Sequence, residues 1–108
     1  MKKSIKLLIP ALIISSAASA DGYISAGEVN AIYFHASHTG VVIKHENLAD
    51  PDNCGRSDYF ILPNSHPSSD KIYSLLLSAQ IANKRVSMTV SGCHEGLPAI
   101  KHIRLEKS

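Results

Sequence analysis

A mainly β fold with one helix, in the order β-β-β-α-β-β, is what this sequence predicts. Three observations carry it. Only the segment around residues 69–83 repeats apolar side chains at three- and four-residue intervals. The remaining ordered stretches are short and rich in Val, Ile, Tyr and Phe, residues that suit a pleated, half-buried surface. Clusters of Gly, Pro, Asn and Asp separate these stretches and mark turns.

Residues 21–28 carry two glycines, Gly22 and Gly27, and no clear period, so they read as a lead-in segment lying over the fold or loose. The first strand is expected over Val29 to His35, through Ile32, Tyr33 and Phe34. Ser37-His38-Thr39-Gly40 is turn-like, and Val41-Val42-Ile43 begins a second strand, which makes the pair a β-hairpin. Asn47 to Ser57 holds Asp50-Pro51-Asp52-Asn53 and Gly55, turn formers that cannot easily continue a strand, so a loop is expected there. Tyr59 to Leu62 supplies a short third strand, closed by Pro63-Asn64.

Ser68-Ser69-Asp70 offers side-chain oxygens to cap a helix, behind which Ile72, Leu75, Leu76, Ala79 and Ala82 form an apolar face. Asn83 suits the left-handed conformation that ends a helix, and Lys84 and Arg85 suit the negative end of its dipole. Val86, Met88 and Val90 then alternate with Ser87, Thr89 and Ser91, the pattern of a half-buried strand. A turn at Gly96-Leu97-Pro98 leads to a last strand marked by Ile103 and Leu105. Five strands with a helix between the third and fourth is the order of the oligonucleotide/oligosaccharide-binding fold, a partly open barrel whose helix plugs one end. A split β-α-β sandwich shares the element order, and fold alone does not give function.

The start of the chain places the protein outside the cytoplasm. Lys2, Lys3 and Lys6 precede an apolar run from Leu7 to Ile14 broken by Pro10, and Ala18-Ser19-Ala20 is a small-residue cleavage site. Residues 1–20 thus read as a secretory signal peptide and 21–108 as one mature domain, exported to the periplasm or beyond. The apolar run is shorter than the roughly 18 to 20 residues that span a bilayer, so no membrane insertion is expected. The leader also accounts for the basic balance: three of the 11 Lys and Arg lie within it and all 9 Asp and Glu lie beyond it, so the formal +2 becomes slightly negative on cleavage. With no basic stripe left to neutralise phosphates, nucleic acid is not an expected partner. Export also lets Cys54 and Cys93, the only 2 cysteines, form a disulfide.

Six histidines raise a metal reading, with His35 and His38, His94 beside Cys93, and His102 near Arg104 as the candidates. Against it stand the missing H-E-x-x-H pattern, the oxidised state expected of Cys93, and the opposite faces that His35 and His38 would take on one strand. No metal site or cofactor is therefore assigned, and a histidine-based metal binder is kept only as a further alternative. Ser37-His38 and His94-Glu95 are neighbours in sequence, but adjacent side chains on a strand diverge. There is no G-x-S-x-G elbow or glycine-rich phosphate loop, so no catalytic residue is named and the protein is expected not to be an enzyme.

The leader, the β-β-β-α-β-β order, the Asp21-Gly22-Tyr23-Ile24-Ser25 start, the His38-Thr39-Gly40 turn and the helix Ile72-Tyr73-Ser74-Leu75-Leu76-Leu77-Ser78-Ala79 resemble a family. It is that of the binding (B) subunits of pentameric AB-type bacterial toxins, nearest the subtilase cytotoxin B subunit and its pertussis-like relatives. The resemblance implies a homo-oligomeric ring, a pentamer, that binds cell-surface glycans, often sialylated, with a separate catalytic A chain as a partner. It also implies a glycan site at Ser25, whose hydroxyl would meet a sugar carboxylate, with Tyr23 as a stacking neighbour. A monomeric periplasmic protein-binding or inhibitor module is the alternative, using the barrel face against another protein.

Overall fold

The computed structural model describes residues 21–106; the leader assigned to residues 1–20 lies outside the described residues. The chain forms β1 (Gly22–Phe34), β2 (Gly40–His45), β3 (Phe60–Pro63), α1 (Ser69–Ala82), β4 (Arg85–His94) and β5 (Leu97–Leu105). The strands close into a barrel in the order β1-β2-β3-β5-β4. All neighbours are antiparallel except β3 and β5, whose parallel seam is marked by the single register pair Ile61 and Ala99. A closed ring rather than two packed sheets excludes the split sandwich. Among the described residues no helix is long and apolar enough to cross a membrane.

The lead-in expected over residues 21–28 is instead the first half of β1 and pairs with β4 from Gly22 opposite Val90 to Glu28 opposite Arg85. Its second half pairs with β2, so one long strand closes the barrel by serving both neighbours. The glycines that hid this strand are there for space. A Cβ on Gly27 would lie 2.8 Å from His45 Cε1 and 2.9 Å from Asn47 Nδ2, and one on Gly22 would overlap the Pro51 ring. The register slips between Ile24 and Gly27, a β-bulge just before β1 passes from β4, at Glu28, to β2, at Val29.

A second correction falls at the β4–β5 turn. Its two central residues are Glu95 and Gly96, at φ 54° and 83°, flanked by the paired His94 and Leu97. Two positive φ values make the tight, primed turn that matches the twist of a hairpin, so Leu97 and Pro98 already belong to β5.

Helix α1 ends as expected. Asn83 is left-handed at φ 57° and ψ 41°, and Asn83 N–H and Lys84 N–H donate to Gln80 and Ala79 carbonyls. Its start differs, since Ser68 makes no side-chain cap bond; its backbone N–H instead donates to His66 Nδ1 at 2.9 Å. The buried face is narrower than the sequence pattern, with Ile72, Leu76 and Ala79 inside, Leu75 half-buried and Ala82 exposed. That face closes the barrel over a core of Ile24, Val29, Ile43, Phe60, Val86, Met88 and Ile100. A smaller cluster of Val42, Ile61 and Leu97 covers the outside of β2 and β3, and this explains why every residue of Phe60–Pro63 is buried.

Cys54 and Cys93 form the disulfide, which pins the 46–59 loop to β4. Carboxylates hold the same loop: Asp50 accepts from the N–H groups of Cys54 and Gly55 at 2.7 and 2.9 Å, and Asp52 from that of Gly92 at 2.6 Å.

Candidate functional site

The outer face of β4 bears Ser87, Thr89 and Ser91, because Val86, Met88 and Val90 turn into the core. Register places Tyr23 on one side of Thr89 and His102 on the other, and Arg104 opposite Ser87. Tyr23, Ser87, Thr89, His102 and Arg104 line a groove of about 250 Å³ running across β1, β4 and β5. Tyr23 presents an apolar ring that is 68% exposed. Ser87 is 1% exposed even though it lies on the outer face, and its hydroxyl has no hydrogen-bond partner among the described residues. A buried hydroxyl left unpaired is costly unless something meets it. The groove therefore combines an aromatic face, two hydroxyls, an imidazole and a guanidinium. That set can stack on a sugar ring and bind its hydroxyls or an acid group, yet holds no nucleophile–base pair aligned for chemistry.

Of the two residues proposed from sequence, Tyr23 lines this groove. Ser25 is exposed on β1 beside it but does not line it. The Asn47 carboxamide occupies Ser25, donating to its carbonyl at 3.1 Å, to its hydroxyl at 3.3 Å and to the Ala26 carbonyl at 3.1 Å. Ser87, Thr89, His102 and Arg104 complete the groove. The alternation of β4 marked Ser87 and Thr89 as outward-facing, but only the pairing between strands sets Thr89 between Tyr23 and His102 and Ser87 opposite Arg104.

Asn47 is itself held by His45, which is 2% exposed. The His45 ring donates from Nε2 to the Val86 carbonyl at 3.0 Å and accepts the Asn47 N–H at Nδ1, also at 3.0 Å. Both ring nitrogens are thus committed in the neutral form, and burial, the dominant cause, pushes the imidazole below its ordinary value of 6.5. The sign follows. The unfolded chain takes up the proton more readily, so this contribution to stability is complete above pH 6.5 and is lost as pH falls from there toward the folded value. Urea midpoints compared between neutral and mildly acidic buffer should fall more for wild type than for His45→Gln, which lacks the buried imidazole.

Among the described residues no three His, Cys, Asp or Glu side chains group as possible metal ligands. His35 and His38 do not sit on opposite faces of a strand. They flank a turn with ring centroids 5.6 Å apart, and the Ser37 hydroxyl lies 3.5 and 3.3 Å from their Nδ1 atoms. The expected divergence of His94 and Glu95 is corrected for the same reason, since Glu95 is a turn residue. Both meet Thr39: its N–H and hydroxyl each donate to the Glu95 carboxylate at 2.9 Å, and its hydroxyl oxygen accepts from His94 Nε2 at 2.9 Å. The Thr39 N–H, chiefly, holds the Glu95 carboxyl below its usual range. This clamp ties the β1–β2 turn to the β4–β5 turn.

The sequence matches no protein-family model, no curated protein and no solved structure.

Proposed function

We propose that this chain is an exported, non-enzymatic glycan-binding subunit of the toxin-B type, and that sugars bind in the groove across β1, β4 and β5. The observation that carries this reading is the pairing of the exposed Tyr23 ring with the unpartnered Ser87 hydroxyl in one groove. Carbohydrates offer the complement, an apolar ring face edged by hydroxyls, and Arg104 gives a sialic or other acidic sugar a cationic partner. A single open groove of this size binds weakly. Several copies in a ring would raise avidity without new contacts, and a pentamer that carries a separate catalytic chain would deliver that chain to cell-surface glycans.

The oxidised mature protein should therefore assemble in native mass spectrometry and bind sialylated or neutral glycans on an array. Tyr23→Ala should weaken binding at least about tenfold, as expected for removing a central aromatic contact worth more than 1 kcal/mol. An assembled protein that binds no glycan, or a Tyr23→Ala variant that binds as wild type, would sink the reading.

A second reading, a monomeric module that binds another protein, is favoured by Phe34, which is 71% exposed and walls a cavity of about 350 Å³ with His35, His38 and Asn64. A strictly monomeric mature protein would favour it.

A further inference from the structure

We propose that Asn47 is the positioning residue of the outer groove and that His45 makes this positioning sensitive to acid. Between Ile24, opposite Met88, and Gly27, opposite Val86, β1 has one residue more than β4. The bulged residues Ser25 and Ala26 are therefore the β1 neighbours of Ser87. Their backbone carbonyls both accept from the Asn47 carboxamide. Ala26 has one further anchor, the Arg85 guanidinium, which donates to its carbonyl at 3.0 Å. The bulge thus sets where Tyr23, the β1 residue that lines the groove, stands relative to the orphaned Ser87 hydroxyl.

Asn47 keeps its place because its backbone N–H donates to His45 Nδ1. A proton on Nδ1 turns that acceptor into a donor and sets two N–H groups facing one another, while Nε2 remains bound to the Val86 carbonyl. Since His45 is buried and its ring cannot turn without losing Val86, the strain falls on the Glu46–Asn47 segment. Gly27 transmits it, because a side chain there would collide with both His45 and Asn47. The charged groups at this corner are Glu46 beside His45, Arg85 from β4, which pairs with Glu46 at 3.4 Å, and Glu28 from β1, whose N–H donates to Glu46. Glu46 and Arg85 act on the imidazole in opposite directions, and β3 contributes the uncharged Phe60 ring. Acidification therefore releases Asn47, loosens the bulge and weakens the groove. Only the consequence for ligand rests on the glycan reading; the latch does not.

The test is a titration of uniformly labelled protein from about pH 7.5 down to the acid limit of the fold, because burial moves the His45 transition below the ordinary histidine range, followed by amide and histidine-ring resonances; a His45 ring that stays neutral until the fold is lost overturns the proposal. The Ser25, Ala26 and Ser87 amides should shift together, with the midpoint of the His45 ring. The transition should vanish in His45→Gln and persist in His102→Gln, which removes the imidazole lining the groove. Should His45→Gln fail to fold, Asn47→Ala should leave the His45 titration in place but uncouple Ser25 and Ala26 from it. Amides that stay still while His45 titrates, or that follow His102, overturn the proposal. With 3′-sialyllactose as probe, wild-type affinity should drop at least about tenfold over the same range, a change of about 1.4 kcal/mol, and that of His45→Gln should not. Absence of sialyllactose binding at every pH would count against the glycan reading, while the amide shifts would still decide the latch.

Discussion

Replacing Cys54 and Cys93 together by alanine is expected to destabilise the barrel by about 4 kcal/mol, close to the chain-entropy figure for a loop of this length. The two residues are 39 apart in sequence, so the bond removes a large part of the unfolded chain's freedom. A domain of this size buries a modest core, and its total stability is on the order of 5 to 15 kcal/mol. Losing the bond therefore takes away a large share. Urea unfolding is the measurement, and the slope with denaturant should steepen because the unfolded chain without the bond exposes more surface. The competing outcome is specific to this structure. Asp52 also fastens the loop to β4 by accepting the Gly92 N–H, while Asp50 braces the loop internally by accepting from Cys54 and Gly55, and a loss below about 1 kcal/mol would mean that these bonds keep the loop in place without the disulfide.

Leu76→Ala should cost about 3 to 4 kcal/mol, within the range for fully buried leucines. Leu76 is 0% exposed and stands between Ile72 and Ala79 on the one face of α1 that meets the core. Strands on several sides hold the space it would vacate, so collapse around an alanine is limited and a cavity remains. Ile81→Ala is the matched control: the same helix and a comparable loss of volume, but Ile81 is 75% exposed, and its removal should stay within about 0.5 kcal/mol. Equal losses at the two positions would show that Leu76 does not plug the barrel, because alanine is the better helix former at both sites and neither loss could come from helix propensity.

These expectations differ in how much of each was readable before folding. The helix was legible because its apolar spacing is local and only one segment has it, although the pattern overstated the buried face by including Ala82. The first half of β1 was not legible. Gly22 and Gly27 weaken strand propensity, and the reason for glycine there is the approach of Pro51 and His45, which are distant in sequence. Leu97-Pro98 has the composition of a turn, but the bend is made by Glu95-Gly96 at positive φ, and Pro98 sits within β5 opposite Cys93. At the site, Tyr23 follows from the family resemblance, whereas Ser87 is in the sequence one of three polar residues on an alternating strand, and only register sets it in the groove.

The set of elements, their order and the cysteine pair can be read from the residues alone, since each follows from local spacing or from there being only 2 cysteines. The tertiary structure alone decided the closed order β1-β2-β3-β5-β4, the bulge that lets β1 serve two neighbours, and the meeting of Tyr23, Ser87, His102 and Arg104. Side-chain alternation tells which face a residue takes on its own strand. Register between strands, set by the packing of the whole core and by where the chain bulges, tells which residues on that face become neighbours.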